Sequence, residues 1–409
     1  MLRSHRVMIV LLISAGILNY ADRQIIALLK PMLSAELGWS DSDYGTLTAA
    51  YQLAAAGAFL FAGRLVDRIG VRWANPLSVG SWSLAAIGHA AATTLSQFVG
   101  MRVLLGVTEA MGTPTAIKTI AAAFESRDRP LVIGIMNASG SAGAILAPLT
   151  IPFVAQAVGW RISFTIAGGL GLIWAAVWWR LSGRMVWGHA EAAKPAQGPL
   201  PWREILSDRR TWAIAGAKVL SDQTWWFLLY WTPDLFRRLF HLNTTGAAIP
   251  LALIYSAAAL GSLLGGTSFH FLTAENRLSF AGARRRIFLT CGLLALPLPL
   301  LPGHGLWTAV ALLALILAAH QGFSSNLFSL ITDIVPDSRI GLISAIGALS
   351  GNLAGMAVLQ ITGWVLDSGG GFTPMLCASA VSYLLAFVWL LGWLPELRTG
   401  PAKREAGLG

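Results

Sequence analysis

Stretches of about 20 apolar residues recur along this 409-residue chain, each long enough to cross a hydrocarbon layer about 30 Å thick. In lipid every backbone polar group must be satisfied within the protein, so a succession of such stretches is restricted to a bundle of helices. Composition agrees, since only 12% of the residues are charged and a soluble domain carries roughly 25%. The apolar runs predict an all-α integral membrane protein of about twelve transmembrane helices. These fall at roughly 7–29, 43–64, 73–92, 97–121, 130–155, 161–181, 210–236, 245–272, 285–301, 305–330, 339–366 and 372–394.

The connection 182–209, rich in Ala, Pro and Gly with scattered charge, predicts a cytoplasmic linker between six-helix bundles at 1–181 and 210–394, with a tail at 395–409. The halves echo one another. "DRPLVIGIMNASGSAGAILAP" opens the fifth helix and "DSRIGLISAIGALSGNLAGMA" the eleventh, placing Ser139-Gly140 and Ser350-Gly351 211 residues apart. Repeated six-helix halves are a common way to build a transporter, although small residues alone also serve helix packing.

The net charge of +10 does not indicate nucleic acid. Basic residues gather in alternate loops, such as Arg64, Arg68 and Arg72, then Arg203, Arg209 and Arg210, then Arg284, Arg285 and Arg286. That asymmetry predicts both termini in the cytoplasm. Cys291 and Cys377 lie in apolar runs and read as buried packing residues, with no metal or disulfide spacing. The first apolar run lacks a clean cleavage site and is expected to be retained.

Ionisable side chains at membrane depth are rare and cost roughly 2.5–3.5 kcal/mol each to insert, so each is a candidate for function. Here they are Asp22, Arg23, His89, Arg102, Glu109, Lys118, Lys218, Asp222 and His320. In the first helix Asn19 and Arg23 share a face, as do Tyr20 and Gln24. Arg23 offers a donor fork suited to a carboxylate, and Asp22, one helical step away, is free to titrate or to pair with another helix. Arg102 and Glu109 lie two turns apart on one face, as either a structural salt bridge or a carboxylate balanced to load and release a proton. Lys218 serves either as a second anion contact or as the partner of Asp222 four residues on. Trp225, Trp226, Tyr230 and Trp231 offer stacking faces for a sugar ring, or belong to an interfacial aromatic belt. His320, Gln321, Ser324, Ser325 and Asn326 suit hydroxyl recognition or interhelical bonding. No phosphate loop, metal cluster or nucleophile elbow appears, so neither a hydrolase nor an ATP-driven pump is expected, and no cofactor.

At this point the motifs become recognisable. "GRLVDRIGVR" (63–72) resembles the loop signature of the major facilitator superfamily. "NYADR" (19–23), "RVLLGVTEAMGTPTAIKTI" (102–120), "KVLSDQTWWFLLYWTP" (218–233) and "HQGFSSNLFSLITDIVP" (320–336) are together similar to its anion:cation symporters, especially those for hexuronates and other sugar acids. The resemblance implies that Arg23 grips the substrate carboxylate, with Tyr20 and Lys218 near the ligand and Ser325, Asn326 and Gln321 in the tenth-helix part of the site. It implies protonatable roles for Asp22 and Glu109, with Arg102 beside them. In the loop, Gly63 and Gly70 would allow close helix approach, while Asp67, Arg68 and Arg72 form a cytoplasmic latch. A second-helix tyrosine common in the family falls at Ala55, one turn from Tyr51 and Gln52. An eleventh-helix asparagine falls near Ala348, one turn from Asn352.

The expectation is a proton-coupled importer of a sugar-acid anion, monomeric and in the bacterial inner membrane, working by rocking of two bundles. Another organic carboxylate, such as a dicarboxylate or aromatic acid, is the alternative cargo, and a metabolite or drug exporter the alternative direction. An intramembrane enzyme lacks a nucleophile or metal set, and a sensor would carry an added soluble domain.

Overall fold

A computed structural model of the chain describes residues 2–125, 128–183, 202–274 and 277–399. The linker between 184 and 201 and the tail from 400 lie outside the described residues. Every regular element among the described residues is helical. Among the described residues nine helices are long and apolar enough to span a membrane, and the count is consistent with twelve crossings once α3, α9 and the α4–α5 pair are included.

The helices are α1 (Leu2–Leu37), α2 (Asp41–Ile69), α3 (Val71–Ala91), α4 (Leu95–Glu109), α5 (Gly112–Ala123), α6 (Arg129–Val158) and α7 (Trp160–Ser182). There follow α8 (Trp202–Ser207), α9 (Arg209–Phe240), α10 (Ala248–Thr273), α11 (Phe280–Ala295), a 3-10 turn (Leu298–Gly303), α12 (Leu306–Ile334), α13 (Asp337–Asp367), α14 (Thr373–Trp393) and α15 (Glu396–Thr399). The Asp22-Arg23 pair does not interrupt α1, which continues past Pro31 beyond its predicted end. The predicted helix at 285–301 is α11 followed by the 3-10 turn, where Pro297, Pro299 and Pro302 deprive an α-helix of its donors.

The predicted single helix at 97–121 is two helices, broken at Ala110-Met111. Pro114 explains the break: it has no N–H for the carbonyl of Ala110, four residues earlier, and its ring clashes there. The interruption falls directly after Glu109.

Local chemistry fixes the corners. Ser40 caps α2, accepting from the Asp43 amide at 3.1 Å while its own amide donates to the Asp43 carboxylate at 3.0 Å. That reciprocal arrangement satisfies two donors that a helix start leaves open. Gly70, at φ +74°, is the only residue between α2 and α3, a conformation that side chains with a Cβ rarely adopt.

The chain forms two compact units, taken separately. The first comprises residues up to 199 together with 226–256 and 355–372. In it α1 packs on α6, α2 on α4 and α3 on α7. Two glycines set the distances that matter: a Cβ on Gly106 would lie 2.6 Å from the Tyr51 carbonyl, and one on Gly143 would lie 2.5 Å from that of Ile17. They bring α4 against α2 and α6 against α1. The second unit comprises 200–225, 257–354 and 373 onward, with an apolar core around Phe288, Phe323, Leu330 and Tyr383. Cys291 is buried there, whereas Cys377, expected to be buried, is exposed.

Within the first unit, an ion cluster ties the end of α1 and the start of α2 to the end of α9. Lys30 Nζ contacts Asp41 Oδ1 at 2.6 Å and Asp234 Oδ2 at 2.7 Å, and Arg238 reaches the same two carboxylates at 2.6 and 2.8 Å. Arg237 adds a contact to Asp234 at 2.9 Å. Asp367, ending α13, accepts the amides of Asp41 and Ser42 at the start of α2. Removing one partner of a buried pair strands the other, at a cost of about 3–5 kcal/mol. Asp234→Asn should therefore lower the thermal unfolding temperature of the detergent-solubilised protein by several degrees. Arg237→Ala, whose side chain is 44% exposed, should cost no more than about 1 kcal/mol in the same measurement.

Candidate functional site

Three helices, α1, α2 and α4, each deliver one side chain to a common point, and the Gly106 contact sets the approach of α4 to α2. Glu109, the last residue of α4, is buried, and its Oε2 receives both Arg23 Nε at 2.7 Å and the Tyr51 hydroxyl at 2.5 Å. Arg23 retains 17% side-chain exposure, while the Glu109 side chain has none. The Arg23 guanidinium also lies over the Tyr20 ring, 5.4 Å from its centroid, and 5.8 Å from that of Tyr51. Tyr20 in turn rests on Gly140, where a Cβ would come within 2.6 Å of the ring.

Glu109 is thus the partner of Arg23. One expectation is corrected. Arg102 does not pair with Glu109, although both lie on α4. Arg102 is fully buried, and none of its guanidinium nitrogens has a hydrogen-bond partner among the described residues. Its nearest aromatic face is Tyr51, 6.0 Å away. Helical spacing placed Arg102 and Glu109 on one face, but the end of α4 at Glu109 and the approach of α1 give the carboxylate a different arginine.

Asp22 is buried, and neither carboxylate oxygen has a hydrogen-bond partner among the described residues. Its neighbour Arg23 pairs with Glu109 instead. The two adjacent residues of α1 therefore serve different surroundings. Gln52, next to Tyr51, is buried with both amide atoms unpartnered. On α9, Tyr230 OH and Trp226 Nε1 are also buried without partners, while Trp231 meets Tyr44 edge-on at 4.9 Å.

The remaining candidates belong to the second unit and are bound to their own surroundings. Lys218 Nζ pairs with Asp222 Oδ2 at 2.6 Å, one turn along α9, which favours the partner reading over the anion contact. Gly351 lies against that aspartate so closely that a Cβ would overlap the carboxylate. Asn326, expected at the ligand, is spent on helix contacts: Nδ2 donates to the Gly265 carbonyl at 2.6 Å, and Oδ1 accepts from Arg284 at 2.8 Å. Ser325 donates back to Gly322 and Asn352 back to Ala348 within their own helices, and Gln321 is half-buried. Trp225 stacks on His320, 5.0 Å away, and that histidine is 2.7 Å from the Tyr383 hydroxyl.

In the 63–72 turn, Asp67 pairs with Lys118 of α5, which also donates to the Gly63 carbonyl at 2.9 Å. Arg68 and Arg72 are exposed, and an ion pair of this turn joins Asp67 to Lys118. Gly63 and Gly70 have open space where a Cβ would stand, so neither serves close helix approach, and Gly70 is needed for its backbone angle. No cluster of residues suited to a metal occurs among the described residues.

Three features escaped the sequence reading. Lys30 and Asp234 go unremarked there, because only a fold brings residues 204 positions apart together. Tyr51 as a ligand of Glu109 was signalled only by its position one turn from Ala55.

The sequence profile described as the Major Facilitator Superfamily matches residues 12–283. The chain belongs to that superfamily. It is accordingly a multi-pass membrane transport protein, not an enzyme. Among its relatives is the D-galactonate transporter of Escherichia coli O6:H1, 25% identical, with 94% of this chain and 95% of the relative covered. The hexuronate transporter of Escherichia coli K12 is also 25% identical, over 92% of this chain and 91% of the relative. Among solved structures, the D-xylose-proton symporter aligns with a TM-score of 0.75 at 15% identity, covering 96% of this chain and 99% of that one. A bacterial homolog of the human lysosomal transporter Spinster aligns with a TM-score of 0.72 at 19% identity, over 97% of both chains.

If Arg23 and Glu109 act as a unit, their substitutions are non-additive. Arg23→Gln and Glu109→Gln should each lower thermal stability, and the double variant should lose less than the sum. Thermal unfolding of the four proteins in detergent measures that coupling.

Proposed function

We propose that the protein is a proton-coupled importer of a sugar-acid anion, with Arg23 as the carboxylate contact and Glu109 and Asp22 as the proton carriers. The observation that carries this reading is the shared use of Arg23: its partner is a buried carboxylate from another helix, Glu109. A substrate carboxylate competes with Glu109 for the same guanidinium. Protonating Glu109 removes its charge and releases Arg23, while Tyr51 keeps the protonated acid in place by exchanging donor and acceptor roles. Arrival of the anion then replaces one negative charge with another beside Arg23, so the arginine freed by protonation is compensated again in the low-dielectric site. Asp22, with its unpartnered oxygens, is a second place for a proton. The relatives named for D-galactonate and hexuronates supply the cargo class, a monocarboxylate bearing several hydroxyls.

In this reading the six-helix bundles at 1–181 and 210–394 alternate access. The protein works as a monomer in the bacterial inner membrane with both termini cytoplasmic, in keeping with the distribution of arginine and lysine. Lys218 is an ion pair with Asp222 and supports the fold of α9 rather than the anion. Asp67 and Lys118 hold the cytoplasmic turn.

Uptake into proteoliposomes with an imposed inward proton gradient tests the proposal, using glucuronate, galacturonate, galactonate, glucarate and simple dicarboxylates. At least one sugar acid should accumulate, and uptake of dicarboxylates alone would move the substrate class. Arg23→Ala should abolish binding. Glu109→Gln and Asp22→Asn should retain counterflow, which needs no net proton movement, and lose accumulation. Because proton uptake frees Arg23, wild-type substrate affinity should fall as pH rises. In Glu109→Gln that dependence should flatten, and wild-type accumulation in either acid variant would remove it from the coupling role.

A further inference from the structure

One corner of the second unit takes no part in the transport reading: the place where α9 begins and α14 runs into α15. Arg209 and Arg210, the first two residues of α9, each bring Nη2 to the same oxygen of Glu396, at 3.4 and 3.3 Å. Two guanidiniums drawn to one carboxylate leave a positive charge over. Those two bonds are also the only ones recorded for either guanidinium among the described residues, so most of their N–H donors stay open. Arg398, two residues beyond Glu396 on α15, and Arg203 of α8 are exposed. The other acids here are engaged, since Arg339 pairs with Glu204 at 2.6 Å and reaches Asp208 at 3.9 Å. With Arg339 counted, five arginines stand against three acids, a surplus of two positive charges among the described residues.

Next to the arginines lies a layer of tryptophan. Trp389 donates Nε1 to the Trp212 carbonyl at 3.1 Å and meets the Trp393 ring at 5.3 Å. Its ring rests on Gly216, where a Cβ would overlap it. The side chains of Trp212 and Trp393 are exposed. Trp212 stands two residues past Arg210, about 3 Å further along the axis of α9. Further into α14, Val381 and Leu385 are exposed as well, and with Trp389 and Trp393 they recur every four residues as one stripe. From the helix ends inward the order is therefore arginine, indole, aliphatic. A phospholipid presents phosphate, glycerol backbone and acyl chain in that same order, and indole rings settle at the middle level. A soluble anion would match only the first of the three.

We infer that this corner binds an anionic phospholipid, with the phosphate on Arg209 and Arg210, Arg398 adding its charge, and an acyl chain along the α14 stripe. Basic pockets between helix ends at headgroup level recognise acidic lipids. A phosphate oxygen takes the forked N–H groups that Glu396 leaves open. The surplus of positive charge selects an acidic headgroup over a zwitterionic one, whose own cation would meet the arginines. Bound there, the lipid reinforces the junction that Glu396 and Trp389 make between the start of α9 and the end of α14. The site depends neither on which solute the protein carries nor on which way the chain faces.

Native mass spectrometry of the full-length protein in neutral detergent tests the site without any transport substrate. Titrated with phosphatidylglycerol or phosphatidylcholine of identical acyl chains, the protein should bind phosphatidylglycerol at least about tenfold more tightly. Equal affinities would overturn the proposal. Each arginine at an acidic headgroup strengthens binding by about fivefold. Arg209 is half-exposed and its contact to Glu396 is long, so Arg209→Gln leaves the fold intact. It should weaken phosphatidylglycerol by about fivefold, and Arg209→Gln/Arg398→Gln by about twentyfold. Arg64→Gln/Arg180→Gln removes the same charge from exposed positions in the first unit and should change the affinity by less than about twofold. An equal loss in the two double variants would mean that net charge alone holds the lipid, and the site would fall. Glycerol phosphate, the headgroup chemistry without tails, should not displace the lipid at millimolar concentration. Displacement would make the corner a site for a soluble phosphate and overturn the lipid assignment.

Discussion

One carboxylate oxygen joins three helices of the first unit. Glu109 Oε2 accepts from an arginine on one helix and a tyrosine on another, and a fully buried ion pair is stable only when such extra bonds compensate its lost hydration. The geometry needs α4 at backbone contact with α2, which is what Gly106 allows. It also needs α4 to end where it does. Pro114 ends α4 at Glu109 by denying Ala110 its hydrogen bond, so the acid sits at a helix terminus rather than in the middle of a continuous rod.

The fold class was legible because lipid leaves a chain few options: apolar stretches of fixed length must become helices, and their number follows from counting. The buried charges in the middle of such stretches, Asp22, Arg102 and Glu109, were equally legible, whereas Lys30, Asp234 and Arg284, read as helix-end or loop charges, were not. Partnership was not. Helical periodicity relates residues on the same helix, and it joined Arg102 to Glu109 when the actual partner comes from α1. The same rule succeeded for Lys218 and Asp222, where both members lie on one helix. Asn326 illustrates a second limit, because an amide suited to a hydroxyl ligand is equally suited to a neighbouring backbone carbonyl, and Gly265 is nearer.

The cluster of Lys30, Asp41, Asp234 and Arg238 teaches the same lesson from the opposite direction. Each residue lies near the end of a helix, where sequence reading expects solvated charge. Yet Lys30 and Asp234 are almost fully buried, and Lys30 also faces the rings of Tyr44 and Trp231 at 5.2 and 4.7 Å. Helix ends that converge exclude water from one another, so charges that look solvated singly become mutual ligands. This cluster and the pairing of Asp367 with the start of α2 are contacts that group 226–256 and 355–372 with the first unit.

The four charged groups Asp22, Arg23, Arg102 and Glu109 also carry an electrical meaning. In their ordinary charged forms Asp22 and Glu109 balance Arg23 and Arg102, so the cluster is neutral. One proton taken up with one monoanion preserves that neutrality, and a cycle of that kind would be indifferent to voltage. A second proton would leave one positive charge to cross with the cargo, and each such charge is worth about 2.3 kcal/mol per 100 mV. The balanced count of two acids and two arginines thus makes the voltage sensitivity of the cycle a direct reading of how many of the acids are protonated.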